Sequence, residues 1–356
     1  DTPGYADFVG EVIGAMRASD FAILSIGAVG GLEVGTETAW DISEQQQKPR
    51  MIVINRSGKE HSKANKILND VRGRFGIKAL PVQIAVNPGV GFNKIIDIIS
   101  MKEYVYQIDG NGKGSGGEIS SGQKGEADEL REKLIEAAAE SDESLMEKYF
   151  ESGLSLEEIT AGIKKSILER TLIPIVFVDS YINVGVDLLM DLVESMAPSP
   201  SDMPPVKVKR TEGEIEIKPS DDAPLAIQVY KTVVEQHVGE LSYFRVFAGS
   251  YKAGDEIYNA TELVSVRPTV IYCVIGKDRS EVPMVCSGDM GTFVKLKGTK
   301  TGDTLCSKQM QFDLPPLVYP EPVMDVAVYP KTKGEEDKVA QGLAKLNDED
   351  PSFRVG

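Results

Sequence analysis

Three short runs in which nearly every residue is apolar recur along the chain, at residues 21–26, 51–54 and 173–178. Continuous apolar runs of this length read as strands buried on both faces, which a parallel sheet covered by helices requires. Between and after them, apolar residues recur at helical spacing over residues 8–18, 36–47 and 186–193. The alternation predicts an α/β layout. Three strands are few for such a sheet, so further strands are expected upstream of Asp1.

Residues 79–171 interrupt that pattern and read as an insertion on the sheet domain. A strand-like piece at 104–108 runs into the glycine-rich stretch 109–117, expected to be a flexible hairpin tip. Acidic helices follow, one with Leu130, Leu134, Ile135 and Ala138 on a single face. Ser155 and Glu158 have the spacing of a capping box opening the last of these helices. The Pro/Ser-rich stretch 197–205 reads as a linker. Beyond it, alternating runs such as 225–230 and 241–247, separated by glycine turns, predict a small antiparallel barrel reaching about residue 311. A strand at 323–329 and a helix at 335–346 then begin a third unit. The expected organisation is a sheet domain over 1–203 containing the insertion 79–171, a barrel over 204–316, and the start of a third domain over 317–356.

Of the 356 residues, 41% are hydrophobic and 26% charged, with a net charge of −16. Such acidity argues against a general nucleic-acid binder, which displaces counterions with a basic face, and DNA is not an expected partner. RNA contact would be confined to patches such as Arg245, Lys231 and Lys252. No apolar run approaches the ~18 residues that cross a bilayer, so no membrane partner is expected. Cys273, Cys286 and Cys306 fit no metal spacing and read as buried, reduced thiols of a cytoplasmic protein. With only His61 and His237, neither a histidine metal site nor a histidine relay is expected. Because the chain opens on Asp1 rather than Met, it reads as a piece of a longer protein.

The chemistry concentrates at the start, in Asp1-Thr2-Pro3-Gly4-Tyr5-Ala6-Asp7-Phe8. An Asp at a strand end, three residues before a Gly, can hold magnesium through water while the glycine N–H reaches a γ-phosphate. The tetrapeptide alone is common in turns. Its continuation, however, resembles the switch segment of translational GTPases. Residues 27–40 (Gly-Ala-Val-Gly-Gly-Leu-Glu-Val-Gly-Thr-Glu-Thr-Ala-Trp) resemble the strand-to-helix connection that follows in elongation factor G. Residues 238–249 resemble the start of that family's second-domain barrel, residues 301–306 its end, and residues 344–355 the opening of its third domain. Tyr5 is similar to a divergent paralogue subgroup of that family.

The resemblance implies part of an α/β P-loop GTPase domain with an α+β insertion, then an antiparallel β-barrel domain and the beginning of an α+β third domain. It also implies GTP binding and hydrolysis, with GTP or GDP and Mg2+ as cofactors of the intact protein. The implied partner is the ribosome, through its RNA and proteins, in the cytoplasm. By the same resemblance Asp1, Gly4, Asn55, Arg56, Ser180 and Tyr181 would bind nucleotide. Asp1 would hold the metal through water, and Tyr5 would stand where the family has its water-orienting histidine.

Three departures qualify that expectation. The run G-x-x-x-x-G-K-S/T, which cradles the phosphates, does not occur in these 356 residues. Lys113 in the glycine run is followed by Gly114, with no strand-to-helix turn around it, and is no substitute. This chain alone is therefore expected to bind GTP negligibly. Tyr5 cannot take up a proton near neutral pH, its unperturbed pKa being about 10, although it can position a water. Finally, the base-reading N-K-x-D becomes Asn55-Arg56-Ser57-Gly58. Losing a carboxylate that makes two charge-assisted bonds would cost on the order of 3 kcal/mol, roughly a hundredfold. Glu60 would replace it only in a re-shaped loop, and Tyr181 would crowd a base where the family has alanine. Two further readings stay open: a non-catalytic ribosome-associated pseudo-GTPase, and a ribosome-protection protein, whose distinguishing features lie in later domains. No nucleophile–base pair, metal cluster or dinucleotide fingerprint points to a metabolic enzyme.

Overall fold

The computed structural model describes residues 1–210, 213–235, 238–296 and 298–355. The chain divides into two compact units, one of Asp20–Ser199 and one of Asp1–Ser19 with Pro200–Gly356. Helix α1 (Val9–Ala18) belongs to the latter.

The unit Asp20–Ser199 is built on four parallel strands: β1 (Ala22–Gly27), β2 (Arg50–Asn55), β3 (Ala79–Pro81) and, after the insertion, a last strand at Ile173–Phe177. Helices α2 (Val34–Gln45) and α3 (Ala64–Phe75) connect the first three. The spatial order is β1, β2, Ile173–Phe177, β3, with every neighbour parallel. The two inner strands are buried along almost their whole length because alternate side chains enter different cores. Ile52 and Ile54 join Leu24, Ile26, Trp40, Ile175 and Phe177, whereas Met51 and Val53 join Val176, Leu80 and Ile163. Each such side chain contributes about 1.5–3 kcal/mol on burial.

The strands differ from the sequence reading in two places. β1 is an outer strand and alternates buried with exposed residues, so it is not covered on both faces. β3, a fourth strand, was too short for its apolar content to register, and it ends on Pro81, as an edge strand tolerates.

Within the insertion, β4 (Gln83–Ala85), β5 (Lys94–Asp97), β6 (Lys102–Val105) and β7 (Ser115–Gly117) form an antiparallel sheet in sequence order. Helices α4 (Ser121–Ala139), α5 (Glu143–Ser152) and α6 (Leu156–Leu168) follow. Leu134 and Ala138 pack with Ile159, Ile163 and Ile167 against the sheet's second core. The capping box is present: Glu158 N–H donates to Ser155 Oγ at 3.3 Å, and Ser155 N–H donates to Glu158 Oε2 at 2.9 Å. The glycine run joins β6 to β7 but is not a loose tip. Gly114 N–H and Tyr106 Oη both donate to the Asp187 carboxylate, at 2.9 and 2.8 Å, and a Cβ on Gly112 would overlap Asn183. The carboxylate at the start of α7 (Val186–Met196) gives the run's backbone a partner, and that fixes it. With Ile173–Phe177 numbered β8, the elements of this unit are complete.

The unit of Asp1–Ser19 with Pro200–Gly356 is dominated by an eight-stranded antiparallel sheet. Its two long central strands, Ala226–Glu235 and Gly239–Ala248, are paired through nine registered positions. Ile227, Val229, Phe244, Val246 and Phe293 fill its core, Phe244 stacking on Phe293 at 4.1 Å. Helix α1 lies close to the first long strand: a Cβ on Gly14 would come within 2.5 Å of Tyr230 O. Arg17 Nε donates to Gln228 Oε1 at 2.7 Å, and Lys231 Nζ to Glu11 Oε2 at 2.7 Å. A strand was expected at 323–329, but those residues carry no regular structure. A strand needs a paired neighbour for its N–H and C=O groups, and among the described residues none pairs there. The helix that follows spans Glu336–Glu349.

Candidate functional site

In an open parallel sheet, ligands bind in the crevice beyond the carboxyl ends of the strands. Of two adjacent strands here, β2 ends on Asn55 and β8 is followed by Ser180, and the two side chains meet. Asn55 Nδ2 donates to Ser180 Oγ at 3.0 Å, while Ser180 N–H donates back to Asn55 Oδ1 at 3.1 Å. Arg56 N–H donates to the same Oδ1 at 2.6 Å, and Arg56 takes a left-handed φ of 61°. One asparagine thus ties together two loops 125 positions apart in sequence. Beside it, the Tyr181 ring is 93% exposed.

Of the seven candidate residues, the structure brings together Asn55, Arg56, Ser180 and Tyr181 in the Asp20–Ser199 unit. Asp1, Gly4 and Tyr5 fall in the other compact unit, forming a second set. Tyr5 is 78% exposed and precedes a 3-10 turn over Ala6–Phe8, whose last residue donates its N–H to Tyr5 O at 3.0 Å. Around Gly4 nothing lies within 4 Å of where a Cβ would stand, which leaves its backbone open to approach. Asp1 is exposed. A single carboxylate acting through water suits Mg2+, which keeps several waters and takes much of its coordination from substrate phosphates. Among the described residues no group of three His, Cys, Asp or Glu is arranged to hold a metal, so a metal here would depend on the nucleotide for its other ligands.

Glu60 does not replace the carboxylate missing at position 58. It is exposed, with His61 Nε2 at 3.8 Å. The residue that the sequence reading missed is Asp179. It is 3% exposed and accepts the Gly58 N–H through Oδ2 at 2.8 Å. Through Oδ1 it accepts the N–H groups of Tyr181 and Ile182, at 3.1 and 3.3 Å. The available signal was an acidic residue immediately before Ser180, coinciding with a glycine at 58.

The proposed basic patch also changes. Arg245 is 5% exposed and donates from Nη1 to Ala18 O at 2.5 Å, and Lys231 is paired with Glu11. Of the three, Lys252 alone stays exposed without a described ion pair. Arg17 lies close enough to Arg245 that burial and then their mutual repulsion lower its pKa to about 10. The three cysteines are free thiols; Cys306 is buried, Cys273 and Cys286 half-buried. His61 is exposed, and His237 lies outside the described residues. Among the described residues no helix is long and apolar enough to cross a membrane.

Comparison with known proteins places the chain in a family. Residues 1–199 match the elongation factor Tu GTP binding domain, residues 224–308 elongation factor G domain 2, and residues 319–356 elongation factor G domain III. A crystal structure of a protein from Thermus thermophilus superposes with a TM-score of 0.85 at 29% identity, covering 100% of this chain and 51% of that one. The chain thus spans about half the length of that protein. It belongs to the elongation factor G-like translational GTPases.

Proposed function

We propose that the chain is the part of a GTP-hydrolysing translation factor that carries the base-side loops and the metal-binding switch segment, and that the intact protein acts on the ribosome. The observation that supports this best is the Asn55–Ser180 lock at the carboxyl edge of the sheet, because it ties together the two loops that carry the base-side candidates. In this reading Asp1 would hold Mg2+ through water, and Gly4 N–H would be offered to the terminal phosphate. When bound, the metal would neutralise charge developing on the phosphates. Tyr5 orients the attacking water by hydrogen bonding alone. Positioning carries most of the rate in phosphoryl transfer, so hydrolysis by the intact protein is slow rather than absent.

The sequence G-x-x-x-x-G-K-S/T is not among these residues, so the 356-residue chain by itself binds GTP negligibly. The test uses the intact gene product and a fluorescent guanine nucleotide, followed by co-sedimentation with ribosomes in the presence of a non-hydrolysable GTP analogue. Micromolar binding and nucleotide-dependent sedimentation are expected. A second reading, a ribosome-associated protein that ignores nucleotide, is favoured by the glycine at 58 and the unshielded Tyr181. Sedimentation that is identical with and without nucleotide would establish it instead.

A further inference from the structure

The space beside Gly58 is already taken. A Cβ there would stand 2.9 Å from Ile182 Cδ1, 3.0 Å from Asp179 Oδ2 and 3.3 Å from Phe92 Cβ. An aspartate at 58 would therefore push its own carboxylate against that of Asp179. Conversely, Asp179 sits where it can accept the Gly58 N–H at 2.8 Å only because position 58 has no side chain.

A carboxylate has about four acceptor positions. Backbone N–H groups of Gly58, Tyr181 and Ile182 occupy three of those of Asp179, and its burial closes off the rest. It cannot accept from a base without releasing these donors, which would cost the three partly buried hydrogen bonds that tie the loops together. The loop's own donors are turned inward too. Ser180 N–H is spent on Asn55, and Tyr181 and Ile182 N–H on Asp179, so none of the three is free to meet the 6-oxo group of a purine. What these loops offer a base is the exposed Tyr181 ring, and stacking on an aromatic face tolerates any base.

We propose that Gly58 and Asp179 are an exchanged pair. The carboxylate has moved from the β2 loop to the β8 loop, where it welds the two loops together instead of reading the base. The pocket then accepts purine nucleotides without selecting guanine. This rests on the nucleotide-binding reading above and specifies its substrate class.

The pair is tested in two ways. In the intact gene product, a fluorescent GDP is displaced by GDP, IDP and ADP. Hypoxanthine lacks only the 2-amino group that a carboxylate reader senses, and adenine lacks the 6-oxo group as well. Half-displacement concentrations within about threefold of one another are expected, against the tenfold or more that a charge-assisted reader confers. The double variant Gly58→Asp/Asp179→Gly is expected to restore a GDP preference of at least tenfold. A wild-type preference for GDP above tenfold, abolished by Asp179→Asn, would mean that Asp179 itself reads guanine and would overturn the proposal.

Separately, thermal melting of this chain compares the two single variants with the double. Gly58→Asp is expected to lower the melting temperature by several degrees, and Asp179→Gly to recover much of that loss in the double variant. Losses that simply add would refute the exchange. Wild type that binds none of the three nucleotides would overturn both the proposed function and the indifference to base. The melting cycle would still decide whether the two residues are exchanged.

Discussion

Two glycines in the insertion carry opposite predictions from the same substitution. Gly125 lies on the exposed face of α4, where a Cβ would meet nothing within 4 Å. Alanine there gains the ordinary helix-propensity difference, about 1 kcal/mol. Gly162 lies in α6 where it crosses α4. A Cβ would come within 2.6 Å of Ala138 O and 2.9 Å of Ala138 Cβ. The oxygen belongs to helical backbone and cannot rotate aside, so the helices must separate. Overpacking of this kind costs about 1–3 kcal/mol, which outweighs the gain of about 1 kcal/mol from propensity. The two variants should thus differ by about 1–3 kcal/mol, with Gly125→Ala above wild type and Gly162→Ala below it. Urea unfolding reads this directly, because Trp40 is the chain's one tryptophan and lies in the same compact unit. With a slope of about 2 kcal/mol per molar urea, the midpoints should separate by roughly 1 M. If Gly162→Ala matches or exceeds wild type, the close crossing of α4 and α6 is wrong.

Three other outcomes follow from single contacts. Glu158 is held at a pKa of about 2, first by its hydrogen bond to Lys148 and then by the Ser155 N–H. A depressed carboxylate contributes stability above its unfolded pKa of about 4.3 that disappears as pH falls through about 2. Glu158→Gln should therefore flatten acid unfolding between about pH 4.3 and about 2, followed by circular dichroism. Tyr106→Phe removes one donor from Asp187 but leaves Gly114 N–H in place, so a loss of about 1 kcal/mol is expected in urea; no loss would mean that the glycine run is held otherwise. Arg245→Ala should lower the melting temperature, because its guanidinium is buried against Ala18 O. Lys252→Ala should leave stability unchanged, and the reverse pattern would return Arg245 to the surface.

What the sequence made legible was whatever depends on burial along one segment. Ile52 and Val176 are apolar because helices cover both sides of their strands, and the runs around them announced as much. The Ser155–Glu158 box was legible because both partners lie within one helical turn. Ile23 belongs to an equally apolar run, yet it is exposed on the outer strand β1. Apolar content does not record where a strand falls in the sheet order. The strand expected at 323–329 failed for a related reason, since alternation measures fitness for pairing and not the presence of a partner.

The candidate site divides along the same line. Asn55, Ser180 and Tyr181 were readable as candidates because each stands at a motif position. Asp179 was not, because its role is defined by three N–H donors, one of them 121 positions away. Read along the chain, Gly58 is a loss: a carboxylate is missing and affinity should fall by its contribution. In three dimensions the same glycine makes room for another carboxylate, whose three hydrogen bonds tighten the loops that the missing one would have served. An aspartate at 3% exposure would be costly if unpaired, so glycine at 58 and aspartate at 179 each make the other tolerable. The departure from the motif is therefore a change in what the carboxylate does, from recognising a base to holding the loops.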